Sequence, residues 1–287
     1  MLAPLLYYIF LIPLSLLPPA GMYAFSDFMY FILYRLFSYR KKVVVENLKN
    51  SFPGKSDEEI NQITKKFYRH FCDIFIEGIK PFTASEKFIQ DRVKLVNGEL
   101  LDKYFQQDRS VILATGHYAN WEWPALAFMR HSSHNALGIY KPLTNKFFDK
   151  KLQQTRSKFG LTLMAVREVA QYFEAHKSIA CSYGFIFDQS PSNPDKGHWM
   201  KFLNQDTVVL TGVERYARQY NFPVIYGKVI KEERGMYKIE YELITDTPGQ
   251  TNEGEITEAI MRVNEKLILS APEYYLWTHR RWKHKRN

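Results

Sequence analysis

His117 and Glu122 stand five positions apart in the stretch GHYANWEW, at the exit of an apolar run that begins Val111-Ile112-Leu113. An imidazole with a carboxylate on one ring nitrogen is held in one tautomer and becomes a better base at the other nitrogen. Such a pair can deprotonate a hydroxyl. On an ideal helix a five-residue spacing sets two side chains about 140° apart. The pairing therefore requires His117 to lie in the turn before a helix that Asn120 caps and whose first turn holds Glu122. The free N–H groups of a helix start suit the oxyanion formed when a hydroxyl attacks an ester or thioester carbonyl. The chemistry this arrangement favours is acyl transfer, with His117 as general base and Glu122 as its orienting carboxylate. Many chains carry a His and a Glu at this spacing by chance, so the bland alternative is a capped histidine beside a surface glutamate.

The elements that must hold these residues follow from local pattern. Val111 to Leu113 reads as a buried strand ending at Thr115–Gly116, and the helix after Asn120 carries Trp121, Leu126 and Met129 into the core. Ser56-Asp57-Glu58-Glu59 opens a helix in which Ile60, Ile63, Phe67, Phe71, Ile74 and Phe75 keep helical spacing, ending near Gly78 and Pro81. Val93 to Val96 and Asn97-Gly98 precede a helix to about Gln107. Ala136 to Tyr140 is a strand, Thr144 to Phe159 a helix closed by Gly160, and Val166 to Lys177 another helix. An apolar strand over Ile179 to Phe187 ends at Asp188, and the polar loop of residues 190–197 after it is placed to lie over a ligand. Thr211 to Tyr220 is helical, Pro223 to Lys231 and Met236 to Ile244 form a hairpin, and Thr251 to Ser270 is a long helix. Strands alternating with helices, plus one hairpin, predict an α/β sandwich with a mixed sheet. Cys72 and Cys181 read as buried reduced thiols, and His131 and His134 as a surface loop with no metal-ligand partner nearby.

GHYANWEW closely resembles the GH-x-G-N-W-E block of the lipid A biosynthesis acyltransferases, the lauroyl and myristoyl transferases of Gram-negative bacteria. Tyr140-Lys141-Pro142 with Asn145 and Arg156 resembles that family's Y-R-P…N…R segment, Phe187-Asp188-Gln189 its F-x-D-Q block, and Pro272 to Lys283, PEYYLWTHRRWK, its C-terminal signature. The blocks keep their order from about Arg40 to the end. The resemblance implies a fold of the glycerolipid acyltransferase type, His117 and Glu122 as the catalytic pair, and Lys141, Asn145, Arg156, Asp188 and Gln189 as substrate-binding residues. It also implies acyl carrier protein as donor, with acyl-CoA the alternative, and an anionic glycolipid hydroxyl as acceptor. No cofactor and no metal follow from it. Lys141 stands where the family has arginine, Ala119 where it has glycine, and residues 198–205 where it commonly has a Phe-Phe-Gly turn, while Thr207 still matches. Lys141 keeps the charge and loses the planar fork, Ala119 is minor if it is helical, and the departure at 198–205 bears on acyl-chain length and acceptor identity. Another lipid acceptor (a glycerophospholipid, an aminolipid or a mannosylated phosphoinositide) or a non-catalytic membrane-surface binding protein of the same fold are the competing readings.

The 287 residues suffice for one large α/β domain, and a net charge of +9 points to an anionic partner. Residues 1–40 form a membrane-associating segment ahead of a main domain at 41–287: Leu2 to Leu17 is apolar, Pro18-Pro19-Ala20-Gly21 breaks it, and Met22 to Phe37 resumes with only Asp27 and Arg35 charged. Each half spans roughly 24 Å as helix against a hydrocarbon core of about 30 Å. A short tilted span, a hairpin dipping into one leaflet, an interfacial helix pair, and two helices packed on a soluble core all fit. Arg40-Lys41-Lys42 places the main domain on the cytoplasmic side by the positive-inside rule, and the family resemblance implies that the membrane is a bacterial inner membrane. The C-terminal stretch of residues 279–286 combines cations with tryptophan and is expected to add to membrane attachment. Nucleic acid is not expected as a partner, because no binding module accompanies the charge.

Overall fold

The structure is a computed structural model that describes residues 2–131 and 133–286, with the backbone alone at 129–131. Nine strands are present among the described residues: β1 Val93–Val96, β2 Val111–Thr115, β3 Asn135–Tyr140, β4 Thr162–Ala165, β5 Cys181–Ile186, β6 His198–Phe202, β7 Gln205–Val209, β8 Val224–Glu233 and β9 Met236–Thr245. Seven make one sheet in the order β1-β9-β8-β2-β5-β3-β4. β8, β2, β5, β3 and β4 run in parallel, and β9 turns back antiparallel to β8. β6 and β7 pair separately. The mixed α/β architecture agrees with the strand and helix alternation of the sequence.

Register positions the site. Thr115 lies opposite Ile186 in the β2–β5 pair, so the chain leaves both strands at one level, and His117 and Asp188 each follow two residues later. The Glu122–His131 helix is capped by Asn120, whose Oδ1 accepts from the backbone N–H groups of Glu122 and Trp123 at 3.0 and 2.9 Å. Its phase differs from the expected one. Trp123 and Leu126 are buried, Trp121 is half-buried, and the Met129 and His131 side chains lie outside the described residues. His134 is no surface residue: it is buried with Nε2 3.0 Å from the Arg109 carbonyl.

Other boundaries moved for identifiable reasons. Asn145 caps the Lys146–Ser157 helix by accepting from Phe147 and Phe148 N–H, so that helix starts two residues later than expected. A 3₁₀ turn at Val166–Glu168 precedes the Val169–His176 helix, and β4 before it was not anticipated. Nor was the β6–β7 hairpin, whose two-residue turn puts both Leu203 and Asn204 at positive φ. Leu203 is buried, and its N–H is held by Glu265, which offsets a conformation costly for a γ-branched residue. The Asp57–Ile79 helix has the expected Ser56–Glu59 capping box and buries Ile60, Ile63 and Phe67, whereas Phe75 is exposed.

The N-terminal residues form two helical runs, 2–16 and 19–36, broken at Leu17-Pro18. No helix among the described residues is long and apolar enough to cross a membrane. The runs lie on the Asp57–Ile79 helix through Met22, through the Ser26–Asp73 and Tyr23–Glu77 hydrogen bonds, and through Lys80, which donates to the carbonyls of Ser15 and Leu17. Their outer faces expose Leu5, Ile9, Phe10, Leu16, Phe28 and Phe31. The C-terminal stretch is only partly free: Arg281 is buried and donates to the Val208 carbonyl, Trp282 donates to Thr207, and Arg280, Lys283, Lys285 and Arg286 remain exposed.

Three histidines, His70, His134 and His279, have pKa values lowered first of all by burial. A group whose folded pKa lies below its unfolded value favours the fold above the unfolded value, near about 6.5 for histidine, and loses that contribution as pH falls. Denaturant midpoints should therefore drop between about pH 7 and pH 5. His134→Gln should flatten that slope; a slope identical to wild type would show that His134 does not titrate on unfolding.

Candidate active site

His117 is mostly buried, with its ring at the C-terminal ends of β2 and β5. Its Nδ1 lies 2.6 Å from Asp188 Oδ1, and its backbone N–H donates to Asp188 Oδ2 at 2.9 Å. One carboxylate thus fixes both the ring and the main chain of the same residue. Asp188 is fully buried. Burial alone would raise its pKa, but the His117 ring, the two hydrogen bonds from His117 and the Arg281 charge outweigh that and hold it below the usual carboxylate range. An ionised Asp188 requires the proton on Nδ1 and leaves the Nε2 lone pair free as a base. Gln189 Nε2 stands 3.1 Å from that nitrogen and can donate to it. The Trp121 ring meets the imidazole edge-on at 4.9 Å.

Glu122 is not the residue that orients His117. Its carboxylate is held by Arg156 in a two-point pair, Nε to Oε1 at 2.6 Å and Nη2 to Oε2 at 2.8 Å. The physical reason is directional: the helix start turns Glu122 toward the Lys146–Ser157 helix, while the β2–β5 register delivers Asp188 beside the imidazole. Burial would lower the Arg156 pKa, and the Glu122 charge and hydrogen bonds outweigh it, so the net shift is upward. The helix-start N–H groups expected to meet an oxyanion are in part committed too, since Asn120 accepts from two of them.

From the His117 ring a cavity of about 530 Å³ runs between the sheet and the Glu122–His131 helix. Glu122, Lys141, Arg156 and Gln189 line it together with His117, and apolar side chains such as Leu113, Phe128, Leu137, Leu161 and Leu163 line the rest. The register explains the space. Gly138 faces Gly184 across β3–β5, Gly184 faces Leu113 across β5–β2, and Gly227 lies two residues beyond Ile225, the partner of Leu113 on β8. All three glycines line the cavity; a Cβ on Gly138 would meet Leu161 and one on Gly227 would meet Ile239, whereas one on Gly184 would meet no side chain within 4 Å. Of the predicted substrate residues, the structure brings Lys141, Arg156, Asp188 and Gln189 to the site, whereas the Asn145 side chain serves as a helix cap. Lys141 is exposed at the rim, with no ion-pair partner among the described residues.

Sequence reasoning missed the cavity glycines, Arg281 behind Asp188, and Asp188 itself as the orienting carboxylate. The Asp188 signal was legible as a charged residue ending an apolar strand; the pairing was not, because 71 residues separate the two groups. Among the described residues no group of three or more His, Cys, Asp or Glu side chains could hold a metal ion. Cys72 and Cys181 are buried and free.

Comparison with known proteins bears on the reaction. The chain is 23% identical over 257 residues to the lipid A biosynthesis lauroyltransferase of Escherichia coli (strain K12), covering 87% of this chain and 81% of that one. The profile of the bacterial lipid A biosynthesis acyltransferases matches residues 2–284. A match of that extent places the chain in the bacterial lipid A biosynthesis acyltransferase family and makes it an acyltransferase.

Proposed function

We propose that the protein is a membrane-surface O-acyltransferase that moves a fatty acyl chain from the thioester of acyl carrier protein to a hydroxyl of an anionic lipid A precursor. The observation that carries this reading is the apolar cavity ending at His117 Nε2. A fatty chain in the cavity brings its thioester carbonyl to the imidazole. Nε2 takes the proton of the acceptor hydroxyl, whose oxygen attacks the carbonyl carbon, and Asp188 stabilises the imidazolium that forms. Collapse of the tetrahedral intermediate breaks the C–S bond, and the Nε2 proton passes to the leaving thiolate. Gln189 occupies the place from which the hydroxyl would approach.

Glu122 and Arg156 act here as a clamp between two helices at the cavity mouth. A two-point pair of this kind leaves an uncompensated charge when one member is removed. Lys141, exposed at the rim, is the better placed cation for an acceptor phosphate. The outward apolar faces of the N-terminal runs, with Arg40, Lys41 and Lys42 immediately after them, support attachment to the cytoplasmic face of the inner membrane.

If His117 is the base, His117→Ala should lose on the order of 10²-fold or more in turnover, and Asp188→Asn should lose a comparable factor through the wrong tautomer. Near wild-type turnover by folded His117→Ala would sink the mechanism. Glu122→Gln and Arg156→Ala should be strongly non-additive in kcat, because both break one pair; additive losses would instead give the two residues separate roles. Gly184→Leu should shift the preferred donor toward shorter chains by filling the cavity floor, measured by competition between acyl thioesters, and an unchanged preference would move the chain elsewhere. For attachment, Phe10→Ser combined with Phe28→Ser and Phe31→Ser should reduce flotation with phosphatidylethanolamine and phosphatidylglycerol vesicles. The residual binding should disappear at high salt, and undiminished flotation would place the anchor in another surface.

A further inference from the structure

The turn that carries His117 rests on a carboxylate that the mechanism does not use. Glu77, in the Asp57–Ile79 helix, is fully buried. Its Oε2 accepts from Asn120 Nδ2 at 2.8 Å and from the Tyr237 hydroxyl at 2.7 Å, and its Oε1 from the Tyr23 hydroxyl at 2.8 Å. Its main-chain carbonyl accepts from Trp123 Nε1 at 2.9 Å. Three parts of the chain therefore meet on one residue: the second N-terminal helix, the β8–β9 hairpin and the turn between His117 and Glu122. The meeting is close. A Cβ on Gly235, at the tip of that hairpin, would stand 2.0 Å from the Tyr23 hydroxyl.

Asn120 carries the consequence to the site. A primary amide offers an acceptor at one end and donors at the other, and it can be turned over. Burial pushes the Glu77 carboxyl up to about 7, against the Tyr237 and Tyr23 hydroxyls and the Lys231 charge that favour its ionised form; ionised, it can only accept, so it fixes Nδ2 on its own side and leaves Oδ1 to cap Glu122 and Trp123. Turning the amide over would set oxygen against carboxylate and nitrogen against two N–H groups. The chain just before it is held in an unusual conformation, with Ala119 at φ 51° and its N–H on the Tyr274 carbonyl at 2.9 Å. With Ala119 and Asn120 both fixed, the path from His117 to the helix start has one geometry.

We propose that Glu77 is a positioning residue for the acyl transfer: through Asn120 it sets the turn that presents His117, and through Tyr23 it makes the N-terminal helix a support of that turn as well as an apolar surface. The proposal rests on the reading of His117 as the base. It assigns Glu77 no contact with substrate.

The test exchanges donor and acceptor. Asn120→Asp keeps an oxygen for the cap but removes the donor to Glu77 and sets two carboxylates together. On the full chain in detergent, with a lauroyl thioester of acyl carrier protein and the acceptor that the wild type acylates, kcat per folded molecule should fall at least about tenfold with KM nearly unchanged, as expected for lost placement of a reacting group. Adding Glu77→Gln returns a donor to the contact, and the double variant should regain at least about fivefold over Asn120→Asp. A double variant whose melting temperature recovers while kcat does not would overturn the proposal and leave Glu77 a purely structural group. So would Asn120→Asp with wild-type kcat. Should Asn120→Asp fail to fold, Tyr23→Phe serves alone: it removes one donor from a half-buried position and should lower kcat about two- to fivefold at constant KM, and an unchanged kcat rejects the link to the N-terminal helix. His117→Ala run beside these separates the two readings, since activity surviving in that variant defeats the base assignment whatever the Asn120 series shows.

Discussion

The site depends on one strand register. β2 and β5 pair with Thr115 opposite Ile186, and this alone brings His117 and Asp188 out of the sheet side by side. Side chains alternate along a strand, so a slip of one residue would turn Gly184 away from the cavity and carry Asp188 off the imidazole. A buried carboxylate without partners costs several kcal/mol. Asp188 is satisfied only in this register, where it accepts from the ring and from the main chain of His117 and feels the buried Arg281 behind it. Catalytic geometry and fold stability are then enforced by the same pairing.

The cavity follows from the same sheet. Parallel strands with helices over both faces normally fill the interface with branched side chains. Here Gly138, Gly184 and Gly227, on β3, β5 and β8, contribute no side chain to the cavity lining. The lining also holds an ion pair. The Arg156–Glu122 pair ties the start of one helix to the end of another, and its guanidinium fork has direction as well as charge. One cavity thus joins an apolar lining to the His117 ring.

How much of this the sequence disclosed depended on whether the cause was local. The β2 strand, the Asn120 cap, the Ser56–Glu59 capping box and the β8–β9 hairpin are set by residues within a few positions of each other, and each was legible. The His117 motif was legible for the same reason, and the resemblance of its flanks to a known family gave its chemistry. Glu122 was read as the partner of His117 because the two are near in sequence, whereas the contact that forms joins strands 71 residues apart. The β6–β7 hairpin escaped notice because its turn uses Leu203 and Asn204 at positive φ, a role that glycine commonly marks. Trp121 was expected in the core, but the helix begins after it at Glu122, and the fully buried indole is that of Trp123.

The N-terminal runs bury a face of mixed polarity, with Tyr7, Met22 and Tyr34 buried and Leu11, Leu14 and Phe25 packed against the core, and expose an apolar one. Ser15, Ser26 and Met22 are buried against the Asp57–Ile79 helix, with Tyr23 half-buried beside them, while Leu5, Ile9, Phe10, Phe28 and Phe31 face outward. In water the arrangement forfeits burial of the larger side chains, each worth roughly 1.5–3 kcal/mol when fully covered. It becomes sensible where the outer medium is itself apolar, which is the physical basis for placing this face at a lipid surface. The polar groups on the inner face add direction to that packing. Tyr23 bonds Glu77, Ser26 bonds Asp73, and Arg234 from the β8–β9 hairpin joins Asp27 to the same Asp73. Hydrogen bonds specify direction where apolar contact specifies only proximity. The hydrogen bonds of the inner face therefore fix how the helices sit on the domain, while the outer face leaves large apolar side chains uncovered by the chain.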